Sequence, residues 1–285
     1  MTMSWSGDGS TSSTRIVGPG TAVPLSECRV AWWRRPQPLC LHDELVDPMH
    51  RQFALLESHH ALAGVWSSLP GTWVNRPDRD DLASHKPYQL NVARDVGLEV
   101  PRTLVTNDPD AARTFVAELG SEQTVYKAFG GTEQAWRETR VLRPDEVALL
   151  DHVRFAPLIL QEYVPAVLDL RVTVMGPAVF ASAIHSADAD YTVDYRADLD
   201  GVAVEAFDLP AEVTGRLYAL MSRLELIYGA LDMRLTPDGR YVFLEINPAG
   251  QWRFMEERTG QPMTEAFAGL LTRLATERES RRTAA

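Results

Sequence analysis

Oxygen-bearing side chains with strand-like spacing gather in one stretch, Asp232-Met-Arg-Leu-Thr-Pro-Asp-Gly-Arg-Tyr-Val-Phe-Leu-Glu-Ile-Asn-Pro248. Pro237, Asp238 and Gly239 carry turn chemistry, which predicts two strands joined as a hairpin. Successive side chains on a strand point to opposite faces. Leu231, Met233 and Leu235 therefore share one face before the turn, and Val242, Leu244 and Ile246 are expected to share it afterwards. Asp232, Glu245 and Asn247 then fall on the other face. Two carboxylates and an amide oxygen form the hard donor set that Mg2+ accepts, completed by water and phosphate oxygens. The same residues are also ordinary on the solvated face of a two-stranded ribbon, and spacing alone does not choose between the two. Register matters to the metal reading, because a one-residue slip would send Asp232 to the apolar side.

Three basic side chains stand where an anion could be gripped. Lys86 precedes Pro87 at the start of a predicted helix running to Gly97, with Leu90, Ala93 and Val96 inward. Unpaired N–H groups and the positive end of the helix dipole make that point an anion site. Lys127 ends the strand Thr124-Val-Tyr-Lys and is followed closely by Gly130-Gly131, where backbone can approach a phosphate. Arg171 belongs to the alternating run Asp169–Met175, in which Leu170, Val172 and Val174 oppose Asp169, Arg171 and Thr173. Each also has a plain reading, as a solvated lysine near a cap, a glycine turn, or the polar side of a strand. Arg34 and Arg35 end an expected strand over 29–36. They read as a solvated basic end or as a carboxylate grip. His59 and His60 point to different sides of a helix and have no second ligand at metal-like spacing.

The elements that would position these residues follow from caps and periodicity. Asp47-Pro48 starts a helix with Phe53, Leu56, His60 and Ala63 on one face. Residues 70–81 are polar and read as a domain junction. A strand over 100–105 leads to a helix opened by Asn107-Asp108-Pro109, faced by Ala112, Phe115, Val116 and Leu119, and closed by Gly120. Leu158–Pro165 is an apolar strand with a polar end. Residues 177–208 read as short strands and a polar loop. Pro210–Gly229 reads as an amphipathic helix with Val213, Leu217, Leu220, Met221, Leu224 and Tyr228 buried. A last helix turns Phe267, Leu270, Leu271 and Leu274 inward. Helices and hairpins in this order predict an α+β fold. Residues 1–27, rich in Gly, Ser, Thr and Pro, read as loose turns or weak hairpins. Residues 276–285 read as a polar tail.

Composition narrows the function classes. The 285 residues are 45% hydrophobic and 24% charged, an ordinary globular balance with length for a sizeable core. A formal net charge of −11 argues against a nucleic-acid partner, and no basic block suits an anionic membrane. No apolar run approaches the roughly 20 residues of a membrane span. The start lacks the pattern of a signal peptide. Two cysteines, Cys28 and Cys40, give neither a metal-ligand spacing nor a disulfide framework, so a reduced, cytoplasmic setting is expected.

Several separated motifs together resemble the ATP-grasp ligases, most closely the microviridin-type (graspetide) maturases of ribosomally made peptides. They are Trp-Trp-Arg-Arg-Pro (32–36), His-Lys-Pro-Tyr-Gln-Leu (85–90), Pro-Arg-Thr-Leu-Val-Thr-Asn-Asp-Pro (101–109), Gln-Glu-Tyr-Val-Pro (161–165), Asp-Leu-Arg-Val-Thr (169–173) and Leu-Glu-Ile-Asn-Pro-Ala-Gly-Gln-Trp (244–252). The resemblance spans about residues 29–275 and implies an ATP-grasp fold, two α+β lobes gripping ATP. It implies an ATP-grasp domain over 83–275, preceded by a shortened N-terminal region over 1–82. The family opens with a strand–helix–strand unit before the Trp-Arg-Arg-Pro strand, whereas some thirty low-complexity residues stand here. Either that region is shortened or the recorded start is late.

By the same resemblance, Lys86 and Lys127 hold the nucleotide, Gln161, Glu162, Tyr163 and Val164 read the adenine edge with Asp169 close by, and Arg171 serves the transferred phosphoryl group. Asp232, Glu245 and Asn247 match the Mg2+ ligands, with Lys127 and Asn247 joining Arg171 in catalysis. The implied substrate is a ribosomal precursor peptide, leader and core, whose Glu or Asp side chains become acyl phosphates and close ester or amide rings. A homodimer is compatible with this and not demanded by it. Two rivals stand beside it. One is an ATP-grasp ligase acting on free amino acids or a protein tail, and the other is a non-catalytic peptide-binding module. All three metal positions carry the expected residue types, which favours the enzymes.

Overall fold

The computed structural model describes residues 2–7, 12–18, 21–129, 139–185 and 201–283. Compact packing divides the chain into two units, one of residues 1–78 with 267–285, the other of residues 79–266.

In the first unit, β1 (Thr2–Gly7), β2 (Ser12–Gly18) and β3 (Thr21–Pro24) form an antiparallel meander, so the hairpin alternative for this region is the one adopted. Met3 and Ile16 pack on a small core of Leu25, Val65 and Leu69. Next, β4 (Val30–Trp32) pairs in parallel with β5 (Thr72–Val74), and α1 (Pro48–Ser68) connects them. Asp47 caps α1 as expected, accepting from the His50 N–H at 3.0 Å. The expected inward face of α1 is not inward. Phe53 and Leu56 are exposed, and its buried residue is Val65, one turn short of the end. An apolar stripe shows that a helix is amphipathic but not which part of it meets a core. Trp33, Trp66 and Trp73 meet edge to face, with centroids 6.0 to 6.2 Å apart. The polar stretch 70–81, read as a junction, holds β5 and the start of α2 (Pro77–Ser84).

The second unit carries two sheets. β6 (Thr103–Thr106), β7 (Thr124–Lys127), β8 (Arg140–Val141) and β9 (Leu158–Glu162) form a four-stranded antiparallel sheet in the order β6-β9-β7-β8. Against it packs α4 (Pro109–Leu119), which begins at the Asp108 cap and ends at Gly120, whose φ of +91° needs glycine. β10 (Leu168–Met175), β11 (Ala178–Ile184), β12 (Val204–Phe207), β13 (Tyr228–Leu235) and β14 (Tyr241–Asn247) form a five-stranded antiparallel sheet, ordered β12-β11-β10-β13-β14. One face is covered by α3 (Lys86–Asp95) and α5 (Ala211–Leu224), whose Val213, Leu217, Leu220, Met221 and Leu224 are buried as their spacing predicts. Tyr228, expected at the end of α5, begins β13 instead. Beyond α6 (Arg253–Thr259), α7 (Met263–Thr283) extends through most of the residues expected as a tail.

The hairpin departs from the sequence expectation over residues 241–244. Around the turn Leu235 faces Tyr241, Arg234 faces Val242 and Met233 faces Phe243, but Asp232 faces Glu245. Leu244 is the extra residue of a β-bulge. Phe243 therefore joins Leu231, Met233 and Ile246 in the core, with 0% exposure, while Leu244 is half-buried. Strict alternation had placed Val242 and Leu244 in the core and Phe243 outside it. Instead Val242 lies opposite Arg234 on the site face, and of the expected Val242, Leu244 and Ile246 only Ile246 is in this core. Phe243→Asp should cost more than about 4 kcal/mol and unfold this unit, and Leu244→Asp should cost within about 1 kcal/mol. Chemical denaturation of both variants checks the assignment.

Candidate active site

The polar face of the five-stranded sheet brings together residues from distant parts of the chain. The register aligns Asp169 with Arg234, Arg171 with Asp232, and Thr173 with Ala230 across β10 and β13. Across β13 and β14 it aligns Asp232 with Glu245 and Ala230 with Asn247. One row thus reads Ser182, Arg171, Asp232, Glu245 from β11 to β14. An unbulged ladder would have set Leu244 opposite Asp232, so the bulge is what aligns the two carboxylates.

Cations meet these acids directly. Arg171 Nη1 donates to Asp232 Oδ1 at 2.8 Å, and the residues are 7% and 8% exposed. Lys86 Nζ donates to Glu245 Oε2 at 2.6 Å, both side chains being about one quarter exposed. Asn247 Oδ1 accepts from the Ala249 N–H at 3.0 Å, which orients its amide.

Gln89, in the same helix as Lys86, is a site residue that sequence reasoning missed. It is fully buried, and β14 is an edge strand whose outer backbone groups need partners. Gln89 supplies them at Ile246, donating Nε2 to its carbonyl at 2.8 Å and accepting its N–H at 3.2 Å. A third bond runs from Nε2 to the Ala83 carbonyl at 2.6 Å. The side-chain amide thereby fixes α3 to β14 between Glu245 and Asn247, and sets Lys86 against Glu245. A buried polar residue on an otherwise apolar helix face is the signal that could have found it. Gln89→Leu strands both backbone groups of Ile246, and should lower stability by about 2–4 kcal/mol. A melting curve reads that loss.

Gly250 is the second missed residue. A Cβ there would lie 2.5 Å from the Ala230 Cβ and 2.9 Å from Arg171 Nη2, so only glycine fits. The close approach lets Arg171 Nη2 donate to the Gln251 carbonyl at 3.2 Å. The Tyr228 hydroxyl holds the same loop through the Gly250 carbonyl at 2.5 Å.

Apart from Asp169, which lies on β10 of the same sheet, the remaining expected residues fall on the four-stranded sheet or beside it. Lys127 ends β7, and Gly130-Gly131, expected as a phosphate-covering loop, lies outside the described residues, as does the polar loop 186–200. Gln161 and Glu162 end β9, and Tyr163 and Val164 begin the connection to β10. Glu162 Oε2 accepts from the Arg102 N–H at 3.2 Å. Asp169, expected beside a nucleotide, is 3% exposed, and its Oδ1 accepts from Arg234 Nε at 2.8 Å.

As a donor set, Asp232, Glu245 and Asn247 fit Mg2+, being hard oxygen ligands on one face with the two carboxylates opposite each other. Among the described residues no group of three or more His, Cys, Asp and Glu side chains is arranged to hold a metal. An ion here would draw further oxygens from a phosphate, as Mg2+ commonly does. Among the described residues no helix is long and apolar enough to cross a membrane.

No family model matches the chain, and no curated protein does. Solved structures match it closely. The macrocyclase MdnC of Microcystis aeruginosa MRC, bound with precursor peptide MdnA, is 31% identical, with a TM-score of 0.84 over 95% of this chain and 87% of that one. A RiPP-associated ATP-grasp ligase of Chryseobacterium gregarium, in complex with ADP and a leader and core peptide, is 26% identical at a TM-score of 0.83 over 95% and 84% of the two chains. The ATP-grasp ligase PsnB, complexed with minimal precursor, Mg and ADP, is 26% identical at a TM-score of 0.73, over 95% and 85%. An oxygen-donor hairpin faced by Lys86 and Arg171, on a fold shared over nearly the whole length of these proteins, establishes that the chain belongs to the RiPP-associated ATP-grasp ligases, the graspetide-type maturases.

Proposed function

We propose that this chain is an ADP-forming ligase that activates Glu or Asp side chains of a ribosomally made precursor peptide and closes them onto side chains of the same peptide. The observation that carries the reading is the aligned row of Arg171, Asp232 and Glu245 with Lys86 against its end. The peptide partner is supported by the similar proteins MdnC and the Chryseobacterium ligase, each in complex with a precursor or a leader and core peptide.

A carboxylate is a poor electrophile because oxide is a poor leaving group. In the first step a carboxylate oxygen of the peptide attacks the γ-phosphorus of ATP, and ADP leaves. A Ser or Thr hydroxyl, or a Lys amine, then attacks the acyl carbon, loses its proton, and phosphate departs. The peptide loses one water per bond. Phosphoryl transfer asks a protein mainly for positioning and for positive charge around the phosphate oxygens. Arg171, fixed by Asp232 and the Gln251 carbonyl, is suited to the transferred group, and Lys86 and Lys127 to the remaining phosphates. Gln161 to Val164 offer backbone to the adenine edge. Asp232, Glu245 and Asn247 would hold Mg2+, which supplies charge neutralisation at the phosphate oxygens. The setting would be the reducing cytoplasm, and a homodimer is an expectation that light scattering tests.

Co-expression with short peptides encoded beside this gene, followed by mass spectrometry, tests the substrate. Loss of one water per ring with ADP release is the expected result. A mass gain by an added amino acid would favour the free-amino-acid ligase.

A further inference from the structure

Arg234 has no part in the chemistry above. It lies on the site face of β13, two residues beyond Asp232, and is 4% exposed. Among the described residues its guanidinium meets Asp169, Val164 and Tyr163. Nε donates to Asp169 Oδ1 at 2.8 Å across the β10–β13 ladder, and Nη1 donates to the Val164 carbonyl at 2.7 Å. Its central carbon also lies 5.4 Å from the centre of the Tyr163 ring. Tyr163 and Val164 are adjacent residues in the connection from β9 to β10, which joins the two sheets.

A buried ion pair alone is a weak source of stability, because desolvation offsets most of the attraction. Here the pair does something geometric. Asp169 fixes the guanidinium plane, and that plane in turn holds a backbone carbonyl and the adjacent aromatic ring. The rigid fork of arginine suits this use, because two of its N–H groups donate in fixed directions while its face meets the ring, whereas the single ammonium of lysine cannot reproduce that arrangement.

We propose that Arg234, oriented by Asp169, is a positioning residue for recognition of the nucleotide base, holding residues 163 and 164 so that the segment presents a fixed edge to adenine. This rests on the proposal that residues 161–164 read adenine. It gives Asp169 an indirect role at the nucleotide, through Arg234 rather than by contact.

The test is equilibrium binding of MgATP, MgGTP and magnesium tripolyphosphate to the full chain and to its Arg234→Lys and Arg234→Met variants, with melting curves in parallel. Tripolyphosphate has no base, and so reports the phosphate and metal side alone. Both variants should bind ATP about tenfold more weakly and lose their ATP-over-GTP preference to a similar degree. Tripolyphosphate affinity should stay within about twofold of wild type. Under turnover the KM for ATP should rise, with kcat at saturating ATP changing far less. Arg234→Lys keeps the buried charge, and should melt closer to wild type without recovering base preference.

Equal losses for ATP and tripolyphosphate would overturn the proposal, as would ATP binding unchanged in both variants. Two unfolded variants would also overturn it, by assigning Arg234 to stability alone. Failure of the underlying adenine assignment has a separate signature, since the wild-type protein itself would then bind ATP and GTP alike.

Discussion

Glu245→Gln should lower ATP turnover by about 10²–10³-fold or more while the protein stays folded. The substitution keeps the shape of the side chain and removes its charge. Glu245 is about one-fifth exposed and belongs to an edge strand, so the lost ion pair with Lys86 is worth only about 1 kcal/mol of stability. Catalysis loses more. The donor set keeps one carboxylate instead of two, and Lys86 loses the partner that fixes its ammonium. Asp232→Asn should behave differently, because its pair with Arg171 is buried. Replacing that carboxylate by an amide removes a negative charge facing the buried guanidinium, and about 3 kcal/mol of stability should go with the activity. Turnover and melting measured on both variants separate the two cases. Normal Mg2+-dependent turnover in Glu245→Gln would contradict its place as a ligand.

Arg171→Met should cost about 10³-fold in phosphoryl transfer and less than about tenfold in ATP affinity. The guanidinium is tied on one side to Asp232 and on another to the Gln251 carbonyl, so its position is set before any substrate arrives. Charge held in place in this way acts on the transition state, where negative charge shifts among the phosphoryl oxygens, more than on the bound ground state. The expected pattern is a fall in kcat with KM for ATP little changed. A loss confined to KM would move Arg171 to nucleotide binding.

Much of the site was legible because its strands alternate cleanly. Leu170, Val172 and Val174 against Asp169, Arg171 and Thr173 appear in the structure as the sequence pattern predicts. The Asp47 and Asp108 caps and the buried stripe of α5 follow local rules, and hold for the same reason. What escaped depends on partners far along the chain. The bulge at Leu244 satisfies the core through Phe243 and the site through Glu245 at once, and no local propensity encodes that compromise. Gln89 and Gly250 take their meaning from Ile246 and Arg171, which lie 157 and 79 residues away. The outward face of α1 escaped because periodicity names a face without naming what covers it.

The central claim, that a side-chain carboxyl of the peptide passes through an acyl phosphate, has one direct measurement. Heavy oxygen placed in the Glu and Asp side-chain carboxyls of the precursor should appear in the inorganic phosphate released, one labelled oxygen per bond formed, with ADP as the nucleotide product. Hydroxylamine added during turnover should intercept the same carbon as a side-chain hydroxamate. Label that appeared in AMP, with pyrophosphate released in place of phosphate, would contradict the acyl phosphate and with it the role assigned to Arg171.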